Sequence, residues 1–263
     1  MRKLIVAAIA LVMSVAILAV VADFTTGIVA EYRFSRSLRA AADLRSDPEI
    51  TISGFPFAAA ASRGKYSQIG ITARNALVGD GQQVDLRSRI SSVRTPSWLI
   101  GENTAFHVDS VDSSIKIDSV NLGRFLHIVD LTVTTPANKN DAGGGGPQDG
   151  LLSKSTGILL TGSVQLDGKK QKVSVLADLS VTGGALSVRA TGRYSGPEDH
   201  VSTRIADADL PGVLAQFSAT LPALPMPWGI APTTAQTQGS DVVLQGTGGA
   251  RELRLTDFRP HPE

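Results

Sequence analysis

The stretch that most constrains this chain is Leu4 to Ala22, 19 consecutive residues without a charge, preceded by Met1-Arg2-Lys3. As a helix it spans about 28 Å, close to the ~30 Å of bilayer hydrocarbon. It is longer than the roughly 7–15-residue apolar core of a cleavable signal peptide. The length favours an uncleaved transmembrane anchor over residues 1–22, while Val20-Val21-Ala22 before Asp23 offers an acceptable cleavage site for a signal sequence. Both readings export the remainder, either held at the cell membrane with its body on the extracytoplasmic (periplasmic) side or secreted if the N-terminus is cleaved. Arg2 and Lys3 favour a cytoplasmic N-terminus, although Arg33, Arg36, Arg39 and Arg45 on the far side weaken that asymmetry.

Asp23 is a residue type that caps helices, and Phe24 to Leu44 reads as a helix that Ser46-Asp47-Pro48 ends. Phe24, Ile28, Tyr32 and, less regularly, Leu38 and Ala42 make its apolar stripe. Arg33, Arg36 and Arg39 recur on a polar side, which fits a stalk near anionic headgroups or an ordinary solvated face. Beyond it the chain is strand-rich. Val84, Leu86 and Ile90 alternate with Asp85, Arg87 and Arg89. Alternation recurs between Phe106 and Val120; Asn121 to Leu126 reads as a short helix and His127 to Thr134 as a strand. The clearest pattern is a three-stranded antiparallel meander. Ile158, Leu160, Val164 and Leu166 share one parity, Asp167-Gly168 supplies a two-residue turn, and Val173, Val175, Leu179 and Val181 lead through Gly183-Gly184 to Leu186, Val188 and Ala190. Between the two strand-rich parts, a glycine-rich run at 137–150 reads as a flexible insertion. Leu210 to Ala219 holds a short helix opened by Pro211, and Val242 to Leu255 supplies closing strands.

Much familiar chemistry is missing. Cysteine is absent, which removes disulfides, thiolate metal sites and thiol nucleophiles together. Lys and Arg number 25 against 24 Asp and Glu, and no basic patch is interleaved with aromatics, so nothing calls for nucleic acid. No Gly-x-Ser-x-Gly elbow or His-Glu-x-x-His helix occurs. Gly162 and Gly168 enclose five residues instead of the four of a phosphate loop, and Lys170 stands where Ser or Thr belongs. His107, His127, His200 and His261 are scattered singly. Asp109, Asp112 and Asp118 sit among alternating residues as a solvated face, and Asp207 and Asp209 read as loop or capping residues. No catalytic residue, metal ligand or cofactor site follows, and the chain is read as a non-enzyme.

What remains is apolar. Glu49 to Ser53 and Lys65 to Ala73 flank the step Phe55-Pro56-Phe57, and Leu221, Leu224, Met226 and Trp228 lie in a proline-studded loop. Prolines stiffen such loops at low entropic cost and keep them from joining a sheet. Stiff apolar loops beside a sheet suit an acyl-chain cleft or a membrane surface, where each buried methylene contributes about 0.8 kcal/mol. They also suit a simple cap over the end of a core.

Ile52-Ser-Gly-Phe-Pro-Phe57, Arg63-Gly-Lys-Tyr66 and the strand Ile69 to Ala73 resemble the actinobacterial LmeA-like phospholipid-binding family. Leu210-Pro-Gly-Val-Leu, Leu221-Pro-Ala-Leu-Pro and Gly239-Ser-Asp-Val-Val-Leu-Gln-Gly246 carry the likeness to the tail. Ala58 to Ala61 are smaller, and Ser67-Gln68 less acidic, than the family pattern. The resemblance implies an α+β fold with a long curved antiparallel sheet packed with helices, similar to tubular lipid-binding proteins, as a single domain over 23–263. It further implies a phospholipid-binding protein of the cell envelope, taking lipids of the phosphatidylinositol type and supporting lipomannan or other lipoglycan maturation. Its partners would be phospholipid, the cytoplasmic membrane and envelope glycan-synthesis proteins. Phe55, Pro56, Phe57, Tyr66, Leu221, Leu224, Met226 and Trp228 are the lipid-binding candidates. A non-catalytic envelope scaffold that contacts a partner protein is the alternative.

Overall fold

The structure, a computed structural model, describes residues 2–78, 82–98, 100–102, 104–134, 157–166, 168–194 and 205–259. The glycine-rich run at 137–150, Asp167, His200 and His261 lie outside the described residues. In chain order, α1 (Arg2–Ala41) is followed by β1 (Glu49–Ser53), α2 (Phe57–Arg63), the long strands β2 (Lys65–Val78) and β3 (Gln82–Arg94), then β4 (Phe106–Val108) and β5 (Ser110–Ile117). Next come α3 (Ser119–Leu126), β6 (Thr132–Thr134), β7 (Gly157–Leu166), β8 (Lys169–Thr182) and β9 (Ala185–Arg193). The chain closes through α4 (Leu210–Gln216), β10 (Ala219–Leu221), β11 (Thr234–Gln238), β12 (Asp241–Gly248) and β13 (Arg251–Leu253). Antiparallel sheets with helices make this an α+β protein, as the resemblance implies.

The elements divide into two compact units. The first comprises Met1–Ala73, Ser88–Asp112 and Gly248–Arg259. Its core is built on the second half of α1, where Ala30, Phe34 and Leu38 recur at helical spacing and are fully buried. They face β1, α2 and a 3-10 turn, Leu255–Phe258. Burying side chains of the size of Phe34 and Leu38 contributes about 1.5–3 kcal/mol each. Strand β1 lies antiparallel to β2, with Ile50 opposite Ile71 and Ile52 opposite Ile69. Strand β2 neighbours β3, and β13 pairs antiparallel with β4.

Two expectations for α1 change. The helix is continuous from Arg2 to Ala41, so Asp23 does not begin a second helix. The stripe divides: Phe24, Ile28 and Tyr32 face outward, whereas Leu38 and Ala42 are buried in the core with Ala30 and Phe34. Both faces are apolar, and periodicity by itself does not choose between them.

The second unit comprises Arg74–Arg87, Ser113–Thr247 and Pro260–Glu263. It holds the predicted meander: β7 pairs antiparallel with β8 (Ile158 opposite Ala177, Leu160 opposite Val175), and β8 with β9 (Leu179 opposite Val188, Val181 opposite Leu186). Added strands make the order β10-β9-β8-β7-β6. Helix α3 begins at Asp118, whose carboxylate accepts the Asn121 backbone N–H at 2.7 Å. Asp118 is exposed, as the solvated-face reading expects, and it also caps the helix. The strand expected over His127 to Thr134 is limited to Thr132–Thr134, because His127 takes φ 58 as the left-handed C-cap of α3. Its N–H and that of Ile128 close the last carbonyls of the helix.

Candidate functional site

Asp23 is buried, and its carboxylate oxygens accept the backbone N–H groups of Phe57 and Ala58, each at 2.7 Å. These are first-turn amides of α2, which have no partner within their own helix. The segment preceding α2 is fixed along α1 in the same way. Glu31 accepts the Ile52 N–H at 2.7 Å, and the Ser35 hydroxyl donates to the Pro48 carbonyl at 2.6 Å. Residues 48–58 therefore run back along α1 towards its N-terminal half. The Phe57 ring packs beside Gly27, where a Cβ would meet it at 3.6 Å, an ordinary contact distance.

This arrangement separates the two phenylalanines of the Phe-Pro-Phe step. Phe57 is buried, with its ring 5.9 Å from that of Tyr66. Phe55 is 66% exposed and stacks at a tilt on Phe24, itself 60% exposed, with ring centroids 5.8 Å apart. Pro56 joins them through a cis peptide bond and occupies the N-cap position of α2. Tyr66 is buried, and its hydroxyl donates to the Trp98 carbonyl at 2.8 Å. Burial pushes the Tyr66 phenol above its ordinary pKa. Next to this pair, Arg63, Thr95 and Trp98 line a groove of 480 Å³.

The remaining candidates belong to the second unit. Leu221, Leu224, Met226 and Trp228 are all buried. Trp228 sits at φ 62 within a 3-10 turn, Pro227–Gly229. The Ser113 hydroxyl donates to the Pro227 carbonyl at 3.1 Å. A Cβ on Gly246 would lie 2.2 Å from the Ala231 carbonyl oxygen, so this loop rests directly on the backbone of β12. The candidates thus form two groups, Phe55 to Tyr66 in one unit and Leu221 to Trp228 in the other.

A depression that the sequence did not signal lies in the second unit. It measures 540 Å³ and is lined by Leu126, His127, Ile128, Val164, Lys170 and Gln216, among others. Its apolar wall adjoins one cationic side chain, a mixture that suits an amphiphile. Nearby, Asp130 accepts the Ser163 N–H at 2.9 Å and its hydroxyl at 2.7 Å. The Ser163 hydroxyl bond is the main cause of a carboxyl pKa below the ordinary range. That keeps Asp130 ionised rather than available as an acid. Asp109 pairs with Arg94 at 2.7 Å, and Asp207 with Arg193 at 3.1 Å, both exposed. Among the described residues no group of three or more His, Asp or Glu could hold a metal ion.

The family model described as LmeA-like phospholipid-binding matches residues 21–247. The match takes in Asp23, the Phe-Pro-Phe step, the meander and the Leu221–Trp228 loop. No curated protein and no solved structure matches the chain.

Proposed function

The chain belongs to the LmeA-like phospholipid-binding family, and we propose that it is an exported phospholipid-binding protein of the cell envelope, held at the cytoplasmic membrane by residues 1–22. Family membership is the observation that carries the binding role, and it describes a protein that binds rather than one that turns over. The unbroken α1 supports a retained anchor. Its charge-free half is exposed throughout, and its second half supplies core side chains to the first unit. The body lies on the extracytoplasmic side, with Arg2 and Lys3 at the cytoplasmic end.

In this reading Phe55 meets lipid directly, and Pro56, Phe57 and Tyr66 fix its position. Leu221, Leu224, Met226 and Trp228 form an aliphatic and aromatic wall for acyl chains in the second unit. Lipids of the phosphatidylinositol type are the proposed ligands. Lipomannan or related lipoglycan maturation, alongside envelope glycan-synthesis proteins, is the proposed setting.

The test is photocrosslinking with a phospholipid carrying a diazirine in its acyl chain. The reading expects adducts in peptides containing Phe55 or the Leu221–Trp228 loop, competed by unlabelled phosphatidylinositol. A protein that captures no phospholipid but retains a specific protein partner would support a scaffold role instead.

A further inference from the structure

We propose that Phe24, Ile28 and Phe55 form a membrane-surface contact, seated in the headgroup–acyl boundary of the leaflet from which α1 emerges. The inference rests on the reading of residues 1–22 as an anchor. It assigns the bilayer surface as the lipid that Phe55 meets and as what covers this patch.

The first support is the chemistry of the outward face. Between Ala22 and Tyr32 the chain holds two acids, Asp23 and Glu31, and both turn inward to accept backbone N–H groups. The hydroxyls of Thr25 and Thr26 donate back to the Val21 and Ala22 carbonyls at 2.8 Å. That leaves Phe24, Ile28 and Val29 outward, with Ile28 65% exposed. No ionised side chain interrupts the outward face until Arg33.

The second support is length. A lipid-compatible helix surface running from Leu4 to Val29 measures about 39 Å at 1.5 Å per residue. That exceeds the ~30 Å of hydrocarbon and falls near the ~40–45 Å that includes the headgroup regions. Phe24 lies about 3 Å beyond Ala22 along the helix, and Ile28 about 9 Å. Phe and Leu on the apolar face of interfacial helices bury about 5–10 Å into the headgroup–acyl boundary.

The third is that Phe55 is held there. Asp23 fixes the two residues that follow Pro56, and Phe55 itself packs on Phe24. A side chain 32 positions along the sequence is thereby returned to the turn of α1 where the charge-free stretch ends.

The chain has no cysteine, so single replacements can be spin-labelled cleanly. Met13→Cys, Ile28→Cys, Phe55→Cys and Asp47→Cys would be reconstituted in phosphatidylcholine–phosphatidylglycerol vesicles. Collision with oxygen and with a water-soluble nickel chelate then reports depth. The proposal expects the label at 13 near the bilayer centre and labels at 28 and 55 at the headgroup–acyl boundary. Their nickel accessibility should be several-fold below that at 47. A deep label at 13 with labels at 28 and 55 as water-accessible as that at 47 overturns the surface contact while leaving the anchor intact. A water-exposed label at 13 overturns both.

Discussion

Asp23 accepts the backbone N–H of Phe57 at 2.7 Å, so a carboxylate on one helix caps another that begins 34 residues later. A second bond to Ala58 completes the cap. Buried amides that lose their acceptor cost about 1–3 kcal/mol. Asp23→Ala is therefore expected to destabilise the first unit by about that much, with amide exchange accelerating first at Phe57 and Ala58. Asp23→Asn retains one side-chain oxygen and should lose less. Equal loss in both variants would indicate that charge, rather than hydrogen bonding, holds α2.

Tyr66 makes a pH prediction. Burial raises its phenol pKa, so the folded protein keeps the proton when the unfolded chain has lost it above about pH 10. Its contribution to stability is full below the unfolded value and is lost as pH rises through the folded one. Absorbance titration should show Tyr66 ionising above the ordinary tyrosine range, and Tyr66→Phe should remove that late step. The variant also forfeits the bond to the Trp98 carbonyl, worth about 1 kcal/mol.

Asp130 behaves in the opposite sense. Its folded pKa is lowered, chiefly by the Ser163 hydroxyl. Its stabilisation is present above the unfolded carboxylate pKa and disappears as pH falls through the folded value. Ser163→Ala should move the Asp130 titration, followed by carboxyl NMR, back towards the ordinary range. An unmoved titration would assign the shift to another cause.

Gly64 ends α2 at φ 59, and a Cβ there would lie 2.2 Å from the Thr95 carbonyl oxygen. Gly168 has a similar φ of 69 but open space around it. Alanine at 168 should cost only the left-handed penalty of about 1–2 kcal/mol. Gly64→Ala should cost clearly more, because the Thr95 N–H also donates to the Gly64 carbonyl at 2.9 Å and fixes the approach. Urea denaturation of the two variants gives the comparison.

These relationships divide by how far apart in sequence their partners lie. The meander was legible because alternation at Ile158, Leu160, Val173 and Val175 encodes which residues share a face, and the register sets Leu160 opposite Val175. The apolar run from Leu4 and the helix opened by Pro211 were equally local signals. The role of Asp23 was not, because its partners are backbone groups on a distant segment. Which apolar residues of α1 face outward was not legible, since a helix with two apolar faces leaves the choice of core to tertiary packing. The lining of the depression beside Lys170 draws on α3, β7, β8 and α4 together, and no single window contains it. The Phe-Pro-Phe step was visible as a motif, while the division of labour between an exposed Phe55 and a buried Phe57 emerged only from the fold.

The central claim is that this chain binds phospholipid, and native mass spectrometry of the membrane-extracted 263-residue protein addresses it most directly. The expected result is protein carrying one or more phospholipid molecules that survive transfer between detergents, with phosphatidylinositol-type species enriched over their share of the membrane. Protein that flies only as lipid-free chain, and yields no adduct with a photoactivatable phospholipid in vesicles, would contradict it.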